Sequence, residues 1–231
     1  MLACVRQRAL NECVSVRIYC VKGRGSAPPT MTSSGAKAQT SDDISAREAD
    51  ALVQAGLAAR QAGDVQQALH LFARASAANP TSAVPHFLIG SEYAALGEVD
   101  QAEAALANAV LLAPALHIAR YQLGLLQFCS GRAAMALVSW GPLWQLDEVN
   151  PLLYFVRGFA ALAQDDFTAA EASFETGLLL NRDNAALSAD IEKVLLGIRQ
   201  SKVSGNSQRA ASEQPASHVL VSNYGKFGTL H

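Results

Sequence analysis

Histidine and cysteine are the side chains that most readily bind metal or supply a nucleophile, and this chain has five of one and four of the other. Their spacing assembles no site. His70, His86, His117, His218 and His231 have no His or Cys partner at the HExxH or CxxC separations that put two ligands on one ion. Ser34 and Lys37 stand at SxxK spacing in a polar stretch without the companion motifs that would make them a nucleophile and its base. Asp165, Asp166, Glu171 and Glu175 form a run of carboxylates, but acids are favoured at the first turn of a helix, and a solvated face accounts for them. Neither GxxxxGK[ST] nor GxGxxG occurs, so no backbone cradle for phosphate is indicated. Cys129 reads as a small buried hydrophobe. The sequence thus assigns no catalytic, cofactor-binding or metal-ligating residue and predicts a protein that is not an enzyme.

The strong signal lies in the elements that would have to position any such residue. Gly56, Gly90, Gly124 and Gly158 recur every 34 residues. Three more rungs keep the same step: Ala68, Ala102, Ala136 and Ala170; Phe72, Leu106, Trp140 and Phe174; Ala75, Ala109, Leu143 and Gly177. A fixed period of this length marks a stack of helical hairpins, each unable to bury its apolar face alone. Gly63, Gly97 and Gly131, with Asp165 in the fourth copy, stand where the first helix of each hairpin must end and a left-handed residue is needed. Pro80 and Pro114 stop the second helices. The small rungs are expected to let the two helices of a hairpin approach, with the bulky rung filling the space between one unit and the next.

This pattern of glycine, alanine, bulky and proline positions resembles the tetratricopeptide repeat over residues 49–184, about three fifths of the chain. The resemblance implies an all-α fold, a right-handed solenoid of helical hairpins, with repeats at 49–82, 83–116, 117–150 and 151–184. Residues 185–200 carry Leu187, Ile191, Val194, Leu195 and Ile198 on one stripe and Ser188, Glu192, Lys193 and Arg199 on the other, the pattern of a capping helix. Ser45 and Glu48 stand at capping-box spacing, which predicts a helix start at 45. Two features break the regularity. Gly141-Pro142 falls inside the second helix of repeat three and predicts a kink, with Trp140 and Trp144 packing into the gap. Arg120 and Arg157 occupy positions that the family fills with apolar residues, and are expected to pair with Asp147 or Glu148.

The resemblance also implies a concave groove lined by the first helices. The expected partner-binding residues are Phe87, Ser91, Tyr121, Leu125, Phe128, Leu152, Phe155 and Phe159. Some members of the family grip a terminal carboxylate with Lys, Asn and Arg. The corresponding residues here include Val53, Leu57, Ser91, Ile118 and Gln122, so that clamp is absent. An exposed apolar and aromatic set of this kind would suit an amphipathic helix or an extended apolar segment.

Charge is unevenly distributed. Residues 49–200 hold 8 Lys/Arg against 15 Asp/Glu, and residues 1–48 hold 7 against 4, so the solenoid lacks the basic face that nucleic acid requires. No run of apolar residues is long enough to span a bilayer. Charges at Arg6, Arg8, Glu12 and Arg17 interrupt every candidate secretory signal, and residues 1–44 read as a disordered leader. Translation is expected to begin at Met31, which would leave Cys129 as the only cysteine and fits a reducing cytoplasm. Residues 201–231 read as a disordered tail with a more apolar segment at 218–224. The leading expectation is a cytoplasmic scaffold or adaptor with a protein partner and no cofactor. The alternatives are a chaperone of a bacterial secretion system, by analogy of architecture, and a regulatory subunit whose tail fills its own groove.

Overall fold

The computed structural model describes residues 41–212, with side chains described from 44 to 202. The leader to residue 40, Met31 and the 218–224 segment lie outside them. The elements are α1 (Ser41–Gln61), α2 (Val65–Ala78), α3 (Ala83–Leu96), α4 (Val99–Leu112), α5 (His117–Cys129), α6 (Ala133–Trp140), a 3-10 helix (Gly141–Gln145), α7 (Pro151–Ala163), α8 (Phe167–Leu180) and α9 (Ala185–Ser212). Among the described residues there is no strand. Four hairpins, α1–α2, α3–α4, α5–α6 and α7–α8, stack in chain order, and α9 follows the last.

The turn inside each hairpin is set by one left-handed residue. Gly63, Gly97 and Gly131 have φ of 85°, 79° and 79°, and Asp165 takes the same turn at φ 60°. The following helix is then capped where the sequence allows. Asp64 Oδ1 accepts from the Gln67 amide and Asp166 Oδ1 from the Ala169 amide, each at 2.9 Å. Between hairpins, α2 and α4 stop just before Asn79-Pro80 and Ala113-Pro114.

The four-glycine rung works differently from expectation. A Cβ on Gly56 would lie 2.5 Å from the Phe72 ring, on Gly90 2.7 Å from Leu106, on Gly124 2.2 Å from Trp140 Nε1, and on Gly158 2.5 Å from Phe174. The bulky rung therefore fills the notch over its own hairpin's glycine, and Trp140 also reaches the next unit, 5.7 Å between its ring centroid and that of Phe159. Trp140 is fixed there by donating from Nε1 to the Tyr121 carbonyl at 2.9 Å. Phe72, Leu106, Trp140 and Phe174 are all fully buried.

Neighbouring hairpins are joined by polar contacts as well as by the core. Ser76 Oγ meets His86 Nε2 at 3.1 Å between α2 and α3. Glu103 on α4 accepts from Gln127 Nε2 at 2.9 Å and from Arg132 at 2.7 Å, while Ser139 Oγ donates to Gln127 Oε1. On α9, Leu187, Ile191, Val194, Leu195 and Ile198 are buried, and Arg199 and Lys202 pair with Glu171 and Glu175 of α8.

Four expectations change. Helix α1 begins at Ser41, so Ser45 lies inside it and the Ser45–Glu48 pair does not mark its start. Helix α9 runs to Ser212, past the boundary drawn at residue 200, because residues 201–212 contain no proline and the earlier turns carry the helix forward. At Gly141-Pro142 the second helix of the third hairpin ends as α-helix at Trp140 and continues as a 3-10 turn. Trp140 and Leu143 are buried there, but Trp144 is 41% exposed, so only one of the two tryptophans fills the core. Among the described residues neither Arg120 nor Arg157 pairs with Asp147 or Glu148. Arg120 makes a long 3.5 Å contact to the Ser139 carbonyl, and Arg157 lies over the Tyr154 ring, 5.3 Å from its centroid.

Candidate functional site

The eight expected groove residues do not form an open surface. Phe87, Ser91, Tyr121, Leu125, Phe128, Leu152, Phe155 and Phe159 are each no more than 8% exposed. Tyr121 stacks on Trp140 at 6.4 Å between ring centroids and also meets Phe155. Phe128 packs on Phe159, and Phe159 meets Phe174 edge-on at 5.0 Å. Phe155 fits over Gly177, where a Cβ would approach its ring to 2.5 Å. The reason is size matching: large rings on α5 and α7 point toward the bulky rung and toward a glycine on the second helices. Ser91 spends its hydroxyl on the Phe87 carbonyl one turn back, at 2.8 Å.

The glycine contacts define another face. Gly124 looks at α6, so residues roughly 120–160° round the helix from it look away from the hairpin partner. On α5 those are Ile118, Gln122 and Cys129, and on α3 the equivalents are Val84, Leu88 and Ala95. Val84 is 45% exposed, Ile118 and Cys129 are half-buried, and Leu88 and Gln122 are buried. Gln122 Oε1 is a buried acceptor without a hydrogen-bond partner among the described residues. Ile118 and Gln122 already stand among the clamp positions read from the sequence; which helix the glycines touch is what the structure adds.

Electrostatics near this face are dominated by one ion pair absent from the sequence expectations. Arg60 Nε of α1 lies 2.6 Å from Glu92 Oε1 of α3, with the Glu92 side chain almost wholly buried. Burial pushes the Glu92 carboxyl above the usual carboxylate range, and the Arg60 charge offsets part of that rise. Glu103 moves the other way, held down mainly by the Arg132 hydrogen bond. Among the described residues no three His, Cys, Asp or Glu side chains come together as a metal cluster would need, and no helix is long and apolar enough to cross a membrane.

The family-model comparison agrees with this architecture over part of the chain. Residues 59–126 match the family model of the tetratricopeptide repeat. No curated protein matches the chain. Among solved structures the chain is similar to a crystal structure of MamA, with 21% identity, 59% of this chain and 80% of that one covered, and a TM-score of 0.49. It is similar also to the MamA RS-1 ArsTM double mutant, with 14% identity, coverage of 69% and 97%, and a TM-score of 0.49. Residues 59–126 thus carry tetratricopeptide repeats, and the rungs continue their period in register to Gly177.

Proposed function

We propose that the chain is a non-catalytic interaction scaffold that takes a segment of a partner protein along the face of α3 and α5 turned away from α4 and α6. Arrays of this repeat are typically protein-binding scaffolds. The observation that carries the reading is the tetratricopeptide match over residues 59–126, whose period the rungs continue to Gly177. On this face Val84, Ile118 and Cys129 offer exposed or half-buried apolar contact to the side chains of a bound segment.

The test uses the full chain as bait in native lysate beside two variants, Val84→Glu and Ile118→Glu. Each places a charge on the proposed contact line. Both should lose the proteins that the parent chain enriches, with helicity retained. Equal enrichment by all three baits would reject this face.

A further inference from the structure

The outer face of α6 is unlike that of the other second helices. On the side opposite the buried Ala136, Trp140 and Leu143 it carries Met135, Val138 and Pro142, all exposed, Met135 by 48% and Val138 by 79%. Trp144, 41% exposed, follows on the 3-10 turn. At the register of Met135 and Val138 the other hairpins have Gln67 and His70, Gln101 and Ala104, and Ala169 and Ala172, equally exposed but polar or small. Residues 133–146 also contain no charged side chain, whereas α2 carries Arg74, α4 Asp100 and Glu103, and α8 Glu171 and Glu175. The third hairpin thus leaves about 22 Å of uncharged helix and turn facing water, with large apolar side chains along it. A contiguous apolar patch with a polar rim is the mark of an interaction surface.

We infer that this face takes an amphipathic helix of a partner protein, apolar along one stripe and carrying Lys or Arg at its ends. The surface lies on the second helices, on the other side of the hairpins from the α3 and α5 face, and does not depend on it. Charge decides the kind of occupant. Where the second helices begin, Asp100, Asp165 and Asp166 stand on the hairpins to either side of α6, and Asp147 and Glu148 follow the 3-10 turn at its far end. All five are exposed, and none has an ion-pair partner among the described residues. Arg132, the basic residue just before α6, is already held by Glu103. An anionic lipid surface or an acid-tipped helix would meet like charge at both ends of the patch, and a second copy would bring its own acidic ends against these. A helix of about 15 residues spans the uncharged stretch, which places its basic ends over the two acidic ones.

The experiment is isothermal titration of the full chain with a synthetic helix of about 16 residues, leucines at i, i+3, i+4 and i+7 steps and lysines at both ends. A twin peptide with glutamate in place of lysine is titrated beside it. The lysine peptide should bind at one site, and the glutamate twin roughly tenfold or more weaker. Val138→Asp should weaken the lysine peptide by about tenfold or more, with circular dichroism and melting temperature unchanged because the side chain is exposed. Ile118→Glu should bind it as the parent does, which separates this face from that of α3 and α5. Equal binding of the two peptides, or undiminished binding by Val138→Asp, would overturn the inference. So would a parent chain that dimerises on its own through Val138, or one that binds phosphatidylserine vesicles but not the lysine peptide.

Discussion

Asp165 takes a left-handed turn, φ 60°, that the other three hairpins give to glycine. A side chain in that region crowds its own backbone, and aspartate tolerates it better than most residues without removing the cost. Asp165→Gly should therefore stabilise the fold by about 1 kcal/mol, seen as a rise in Tm of about 2–4 °C in a chain of this size. An unchanged Tm would mean that the carboxylate supplies a compensating contact. The same scale explains how the glycine rung was legible while its purpose was not. Spacing alone picks out Gly124, but only the 2.2 Å that a Cβ there would leave to Trp140 Nε1 tells that the residue is small to admit an indole and not a neighbouring alanine.

Between elements, α1 and α3 are coupled by Arg60 and Glu92, a contact that no motif announces because the two residues lie in different repeats. The folded pKa of Glu92 lies above its unfolded value, so its contribution favours the fold at low pH and is lost as pH rises from about 4.5 through the folded value. Replacing it with glutamine should flatten that loss and be neutral or stabilising at pH 7. Arg60→Ala should deepen it and cost about 2 kcal/mol at pH 7, less than the figure for a fully buried pair because Arg60 keeps some contact with water. Urea midpoints at several pH values would separate the two variants; identical profiles would remove the pair from the account. Glu103 and Glu171 act in the opposite sense. Held down by Arg132 and by Lys202 with Arg199, they lend stability that disappears as pH falls below 4.5 through their folded values. The apolar groove failed as a reading at this same scale. Tyr121, Phe155 and Phe159 sit at positions whose direction depends on how deeply α6 and α8 approach. The clue, Gly177 standing where the other copies have alanine or leucine, was read as a rung and not as a socket for Phe155.

For the molecule as a whole, stacking makes each hairpin depend chiefly on its neighbours, and the architecture was legible because four copies repeat one solution. The ends were less so. Helix α1 reaches back to Ser41 and α9 runs on to Ser212, in polar stretches where no breaker fixes a boundary. The interruption at Gly141-Pro142 was legible as a break, yet its effect on the two indoles had to be seen. That break gives the molecule a pair of intrinsic fluorophores in opposite surroundings, Trp140 sealed in the core and Trp144 in contact with water. An iodide titration of the folded chain should quench one emitter and spare the other, and Trp144→Phe should abolish the quenchable component. Two quenchable indoles would show that the third hairpin is looser than described. With only two tryptophans in the chain, the shielded one becomes an optical gauge of whether the middle of the rod stays closed, and its partner a gauge of what settles on the surface beside the bend.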